Sequence, residues 1–115
     1  MILDAVRMLL RGIDLDLCVA ANGEDGIVQA EMVRPDLILL DVQMPGMDGY
    51  ETCRCIRAES WGAHVPIVLA SADLGPRERE LGIAAGCSDF LEKPFDKPRL
   101  YALIEPHLED DETRP

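Results

Sequence analysis

The chain has 115 residues, with 22 acidic against 11 basic side chains for a formal charge of −11, and is 48% apolar but only 4% aromatic. This is a globular composition, neither disordered nor fibrous, and the length suits one domain that buries roughly two-thirds of its unfolded surface. An excess of carboxylates argues against a grip on nucleic acid or an anionic membrane by the domain itself, because phosphate binding needs a basic face; such work falls to a partner or an attached domain. The longest apolar runs, such as Leu37 to Leu40, stop far short of the ~20 residues that cross a bilayer. No basic segment followed by an apolar one opens the chain, so a secretory signal is not expected. Cys18, Cys53, Cys55 and Cys87 show neither zinc-finger spacing nor a CxxC pair, which favours reduced, mostly buried thiols in a cytoplasmic protein.

In chain order, Ile2, Leu3, Val6, Leu9 and Leu10 recur at helical spacing and predict a helix over 2–12, ended by Gly12. Residues 15–21 read as a strand, punctuated by Asn22-Gly23. A second helix is expected over 24–34, with Gly26 weakening its first turn by up to ~1 kcal/mol and Pro35 ending it. Asp36 leads into LILL, a strand apolar on both faces that finishes at Asp41, as a central parallel strand covered by helices on both sides requires. A Pro-Gly-rich loop (42–48) then leads to a helix over 49–59 and a loop holding Trp61 and Gly62. Pro66 opens the strand IVLA, ending at Ser71, and a helix over 76–85 stops at Gly86. Phe90-Leu91 form a short strand running into Lys93-Pro94; Asp96 can cap a last helix with Pro98 in its first turn, and Pro106 should end or kink that helix. Residues 1–108 form the domain, and 109–115 read as a solvated acidic tail or the start of a linker.

Strands alternating with helices of about ten residues imply parallel βαβ units and a doubly wound α/β sheet. Functional groups in such sheets gather at the carboxyl ends of the strands. Asp41, Ser71 and Lys93 stand at three successive strand ends. A carboxylate there can act as nucleophile and become an acyl phosphate, while the ammonium and the hydroxyl hydrogen-bond the phosphoryl oxygens. Mg²⁺ commonly bridges carboxylate and phosphate in such transfers, which depend mostly on positioning and charge neutralisation. Residue types alone leave this only suggestive, because strand-end Asp, Ser and Lys also arise by chance.

The strings DLILLDVQMPGMDGYE (36–51), PIVLASA (66–72) and DFLEKPF (89–95) together resemble the receiver domain of two-component response regulators. The resemblance covers nearly all of residues 2–108 and implies a flavodoxin-like receiver fold. It also implies that Asp41 is the phosphoacceptor, Ser71 the hydroxyl that turns toward the phosphoryl group, Lys93 the cation that pairs with it, and Asp41 with the Gln43 carbonyl the Mg²⁺ ligands. Phe90 matches the aromatic that rotates inward when the hydroxyl moves, and Pro94 the position of a cis peptide bond. By the same resemblance, Gln43 and Asp73 tune the lifetime of the acyl phosphate. The donor would be a histidine kinase or a phosphotransfer protein, and the output an effector domain or partner protein. The resemblance also admits a homodimer through the face formed by 76–85, 89–93 and 97–105.

One departure qualifies the match. Receivers begin with a buried strand ending in an acidic pair that holds Mg²⁺, and Met1 falls after that point; Asp4 lies inside the expected first helix and cannot substitute. In the order 2-1-3-4-5 the absent strand would lie between the 15–21 and LILL strands, leaving two unpaired edges. With one side-chain carboxylate and one carbonyl, magnesium binding is expected to be weak or absent, and phosphorylation slow or absent. A truncated or misassigned start, a natural short form pairing by strand exchange, and a degenerate receiver all remain open. The favoured function is a phosphorylation-dependent switch rather than an enzyme; the alternative is a phosphorylation-independent docking module. A flavodoxin-like electron carrier is disfavoured, since no Ser/Thr/Gly-rich phosphate loop follows any strand.

Overall fold

The computed structural model describes residues 17–19, 22–43 and 46–113. The expected helix over 2–12, with Asp4, lies outside them. A strand β1 (Leu17–Val19) is followed by helix α1 (Gly23–Val33), β2 (Leu37–Asp41), α2 (Gly49–Ala58) and a single 3₁₀ turn at Ser60–Gly62. Strand β3 (Ile67–Ser71), helix α3 (Pro76–Ala85), β4 (Asp89–Glu92) and α4 (Lys97–Thr113) complete the alternation. The four strands form one parallel sheet in the order β1-β2-β3-β4. Among the described residues no helix is long and apolar enough to cross a membrane.

The continuous apolar strands are buried on both faces, as their sequence predicts. Ile38 and Leu40 of β2 join Ile67 and Leu69 of β3 on one face, packed by Ala30, Cys53, Ile56 and Ala85 from α1 to α3. The alternate residues Leu37, Leu39, Val68 and Ala70 face the other way, with Leu91 of β4 and with Leu100 and Ile104 of α4. Asp96 caps the start of α4 as expected, accepting from the Arg99 N–H at 3.1 Å, and the structure adds two caps of the same kind, Asn22 on α1 and Asp48 on α2.

Two expectations are corrected. No vacant lane separates the first described strand from LILL: β1 pairs directly with β2, Leu17 opposite Leu37 and Val19 opposite Leu39. Pairing across satisfies backbone donors and acceptors that two open edges would leave unmet. Of the two outcomes expected at Pro106, an end is not what is found: the last helix continues through it to Thr113. The backbone bond that proline forfeits is to the carbonyl of Ala102, and both residues are exposed.

Cys53, Cys55 and Cys87 are free thiols, with Cys53 fully buried and Cys55 half-buried. The Cys53 thiol donates to the Ala85 carbonyl at 3.3 Å. Burial pushes its pKa from the ordinary 9.0 up to about 11, against the opposing pull of Arg57. Below pH 9 the thiol is protonated in both folded and unfolded chains; between 9 and 11 the unfolded thiol ionises first, so stability falls as pH rises. Burial raises the Cys87 and Tyr50 pKa values in the same direction. The Cys53 contribution is expected to cost about 2 kcal/mol between about pH 8 and about pH 10.5, read as a lower urea midpoint. Cys53→Ala should show a shallower alkaline decline; an equally steep one would place its origin elsewhere.

Candidate functional site

The parallel register sets the site. Asp41 lies opposite Ala70, one residue before Ser71, and Ser71 lies opposite Glu92, one residue before Lys93. Three chemically distinct side chains therefore share the carboxyl edge of the sheet. Lys93 Nζ donates to Asp41 Oδ2 at 2.6 Å, and the Gln43 N–H donates to Oδ1 at 3.0 Å. The carboxylate is 16% exposed and the ammonium 29%, so this is a partly sheltered ion pair that solvent can still reach. The Lys93-Pro94 peptide is cis, as expected.

The loop after Asp41 explains its own sequence. Gly46 has φ +73°, a left-handed conformation that glycine adopts without steric cost. Asp48 accepts from the Glu51 N–H at 2.8 Å and starts α2. Gly49 then lets the helix touch the strand end: a Cβ there would come within 2.7 Å of the Asp41 carbonyl oxygen. Its own N–H donates to the Val42 carbonyl at 2.9 Å. The Asp-Gly pair is thus a cap followed by a close approach, and it anchors α2 against the strand that presents Asp41.

Ser71 is brought to the edge, 5% exposed, but its hydroxyl is occupied. Its Oγ accepts from the Asp73 N–H and donates to the Asp73 carbonyl, both at 3.1 Å. Asp73 thus takes part through its backbone, which its charge in the sequence does not signal. Phe90 is half-buried against the α1–α3 face of the core. The guanidinium carbon of Arg79 lies 5.4 Å from the Phe90 ring centroid, a contact that no local sequence signal marks.

The described residues do not fit a resident magnesium. That ion demands near-octahedral oxygen ligands. Here the Asp41 carboxylate and the Gln43 carbonyl are the donors expected of this edge, two where a near-octahedral set needs six. Among the described residues no group of three or more His, Cys, Asp and Glu side chains is placed to hold a metal ion.

A carboxylate, a hydroxyl and an ammonium at the carboxyl edge of a parallel sheet match a known family. The family model for the response regulator receiver domain matches residues 1–105, and the chain belongs to that family. It is 35% identical over 112 residues to the DNA-binding response regulator MtrA of Mycolicibacterium smegmatis, covering 97% of this chain and 48% of that protein. It is 40% identical over 89 residues to the response regulator PleD of Caulobacter vibrioides, covering 77% of this chain and 20% of that protein. The chain thus spans about half the length of MtrA and a fifth of PleD.

Among solved structures, chemotaxis protein CheY4 of Vibrio cholerae superposes with a TM-score of 0.85 at 28% identity, covering 91% of this chain and 88% of that one. The receiver domain of sensor histidine kinase PA1611 from Pseudomonas aeruginosa, with magnesium coordinated in its active-site cleft, gives 0.82 at 32% identity, covering 93% of this chain and 88% of that one. The fold is flavodoxin-like α/β, and the family is a signalling switch of two-component systems rather than a classical enzyme.

Proposed function

We propose that this chain is a phosphorylation-dependent switch that accepts a phosphoryl group on Asp41 from a histidine kinase or phosphotransfer protein. The observation that carries the reading is the 2.6 Å pairing of Lys93 with Asp41 at the carboxyl edge of the sheet. A carboxylate oxygen of Asp41 attacks phosphorus as the bond from phosphorus to the donor's imidazole nitrogen breaks. The nitrogen keeps the electron pair, and an acyl phosphate forms. Lys93 exchanges a carboxylate partner for phosphoryl oxygens, a charge-assisted contact of the same kind. Ser71 can bond the phosphoryl group only by giving up Asp73, so phosphorylation and a change in the 72–75 loop compete for one hydroxyl. Rotation of Phe90 would carry that change to the α3–β4–α4 face, where an effector domain or protein reads it. A cytoplasmic location suits this partnership. The charge of −11 supports a reading in which any DNA contact is made by the effector rather than by this domain.

The test is intact mass after incubation with acetyl phosphate in magnesium-containing buffer. A slow gain of one phosphoryl group, removed by hydroxylamine as an acyl phosphate is, supports the switch. No gain, or one that resists hydroxylamine, would favour the docking-module reading instead.

A further inference from the structure

Arg79 stands where the moving parts of the proposed switch meet. Arg79 and Gly82 lie three apart on α3 and so share one face of it. That face receives the Phe90 ring: a Cβ on Gly82 would overlap the ring edge, so this turn of the helix holds the ring only because residue 82 is glycine. The Arg79 guanidinium lies over the same ring, 5.4 Å from its centroid. Its Nε also donates to the Leu74 carbonyl at 3.0 Å. Leu74 follows Asp73, whose backbone holds the Ser71 hydroxyl. A groove of about 340 Å³, lined in part by Leu74, Arg79, Phe90, Leu91, Arg99 and Leu103, adjoins the ring.

We propose that Arg79 is a positioning residue, a latch that holds the Phe90 ring against Gly82 and the 72–75 loop in the arrangement that keeps Ser71 away from Asp41. One side chain grips the ring through its charge and the loop through its N–H, so ring and loop are released together. The resting chain is thereby biased against phosphoryl uptake. This rests on the switch reading above. An exposed cation–ring contact has a modest free energy, so its loss should raise uptake about two- to fivefold.

The experiment uses the full chain with ¹³C-labelled phenylalanine, of which it holds two, Phe90 and Phe95. In Arg79→Ala the Phe90 ring signals should shift and broaden while those of Phe95 stay, and acetyl phosphate uptake at Asp41 should rise about two- to fivefold. Faster uptake separates the latch from a merely structural role, since damage to packing does not accelerate a reaction. Arg79→Lys, which keeps the cation, should restore most of the ring signal. Arg79→Gln, which keeps a donor for Leu74 without charge, should not. Unmoved Phe90 signals in Arg79→Ala overturn the latch. A released ring with unchanged uptake, in a chain that does take up phosphoryl, overturns its coupling to Asp41. A released ring in a chain that takes up none overturns the switch reading and leaves the contact itself standing.

Discussion

Asp41→Asn is expected to abolish phosphoryl uptake, a loss of at least about a hundredfold, under conditions where the unaltered chain gains an acyl phosphate. The amide is neutral and its oxygen a poor nucleophile, and no other described carboxylate is paired with Lys93 at this edge. The substitution is nearly isosteric, and Lys93 is 29% exposed, so the ammonium left behind can turn to water. Stability should therefore change by less than about 1 kcal/mol, as for other solvent-reachable ion pairs. Matched thermal unfolding of the two chains checks this and keeps lost uptake from being mistaken for lost structure. Ser71→Ala should be milder, slowing uptake about tenfold, because a hydroxyl that must leave Asp73 assists the reaction without performing it. Uptake of a hydroxylamine-labile group by the Asp41→Asn chain would move the phosphoacceptor to another carboxylate and sink the assignment.

The convergence of Asp41, Ser71 and Lys93 was legible because parallel strands all point one way, which puts strand-final residues at one edge whatever the loops do. The start of the last helix was legible for a similar local reason, since Asp96 satisfies a backbone donor within a few residues of itself; Asn22 and Asp48 do the same from positions that the sequence marks only as turn and loop. Pairing partners are a different matter. Periodicity marks residues around Leu17 as a strand but carries nothing about its neighbour, and its pairing with β2 depends on which backbone edge is left open. Pro106 misleads for the opposite reason, since its local penalty is real yet an exposed helix face absorbs it. The grip of Asp73 on Ser71 and that of Arg79 on Phe90 rest on a backbone turn and a contact between elements, neither of which the residue types announce.

Arg57→Ala is expected to destabilise the chain by about 3 kcal/mol, lowering the unfolding midpoint by about 10–15 °C. One half-buried guanidinium there joins four parts of the fold. Nε donates to the Gly86 carbonyl at 2.8 Å, and Nη1 donates to the carbonyls of Gly62 at 2.8 Å and Val65 at 2.6 Å. Nη2 reaches Ser88 Oγ at 3.2 Å, which in turn accepts from the Ile67 N–H at 3.1 Å. The end of α2, the 3₁₀ turn, the start of β3 and the cap of α3 are therefore held by one side chain, and alanine leaves its carbonyl acceptors partly buried without a donor. Arg57→Lys should recover less than half of the loss, because a single ammonium cannot span acceptors arranged for a planar fork. These contacts lie at the amino ends of β3 and β4, about 15 Å along the strands from the Asp41 edge. The folded Arg57→Ala chain should accordingly take up phosphoryl at the unaltered rate below its midpoint. A midpoint within about 3 °C of the unaltered chain would mean that water replaces the guanidinium at these carbonyls at little cost. Reduced uptake in fully folded protein would instead tie the amino end of the sheet to the site.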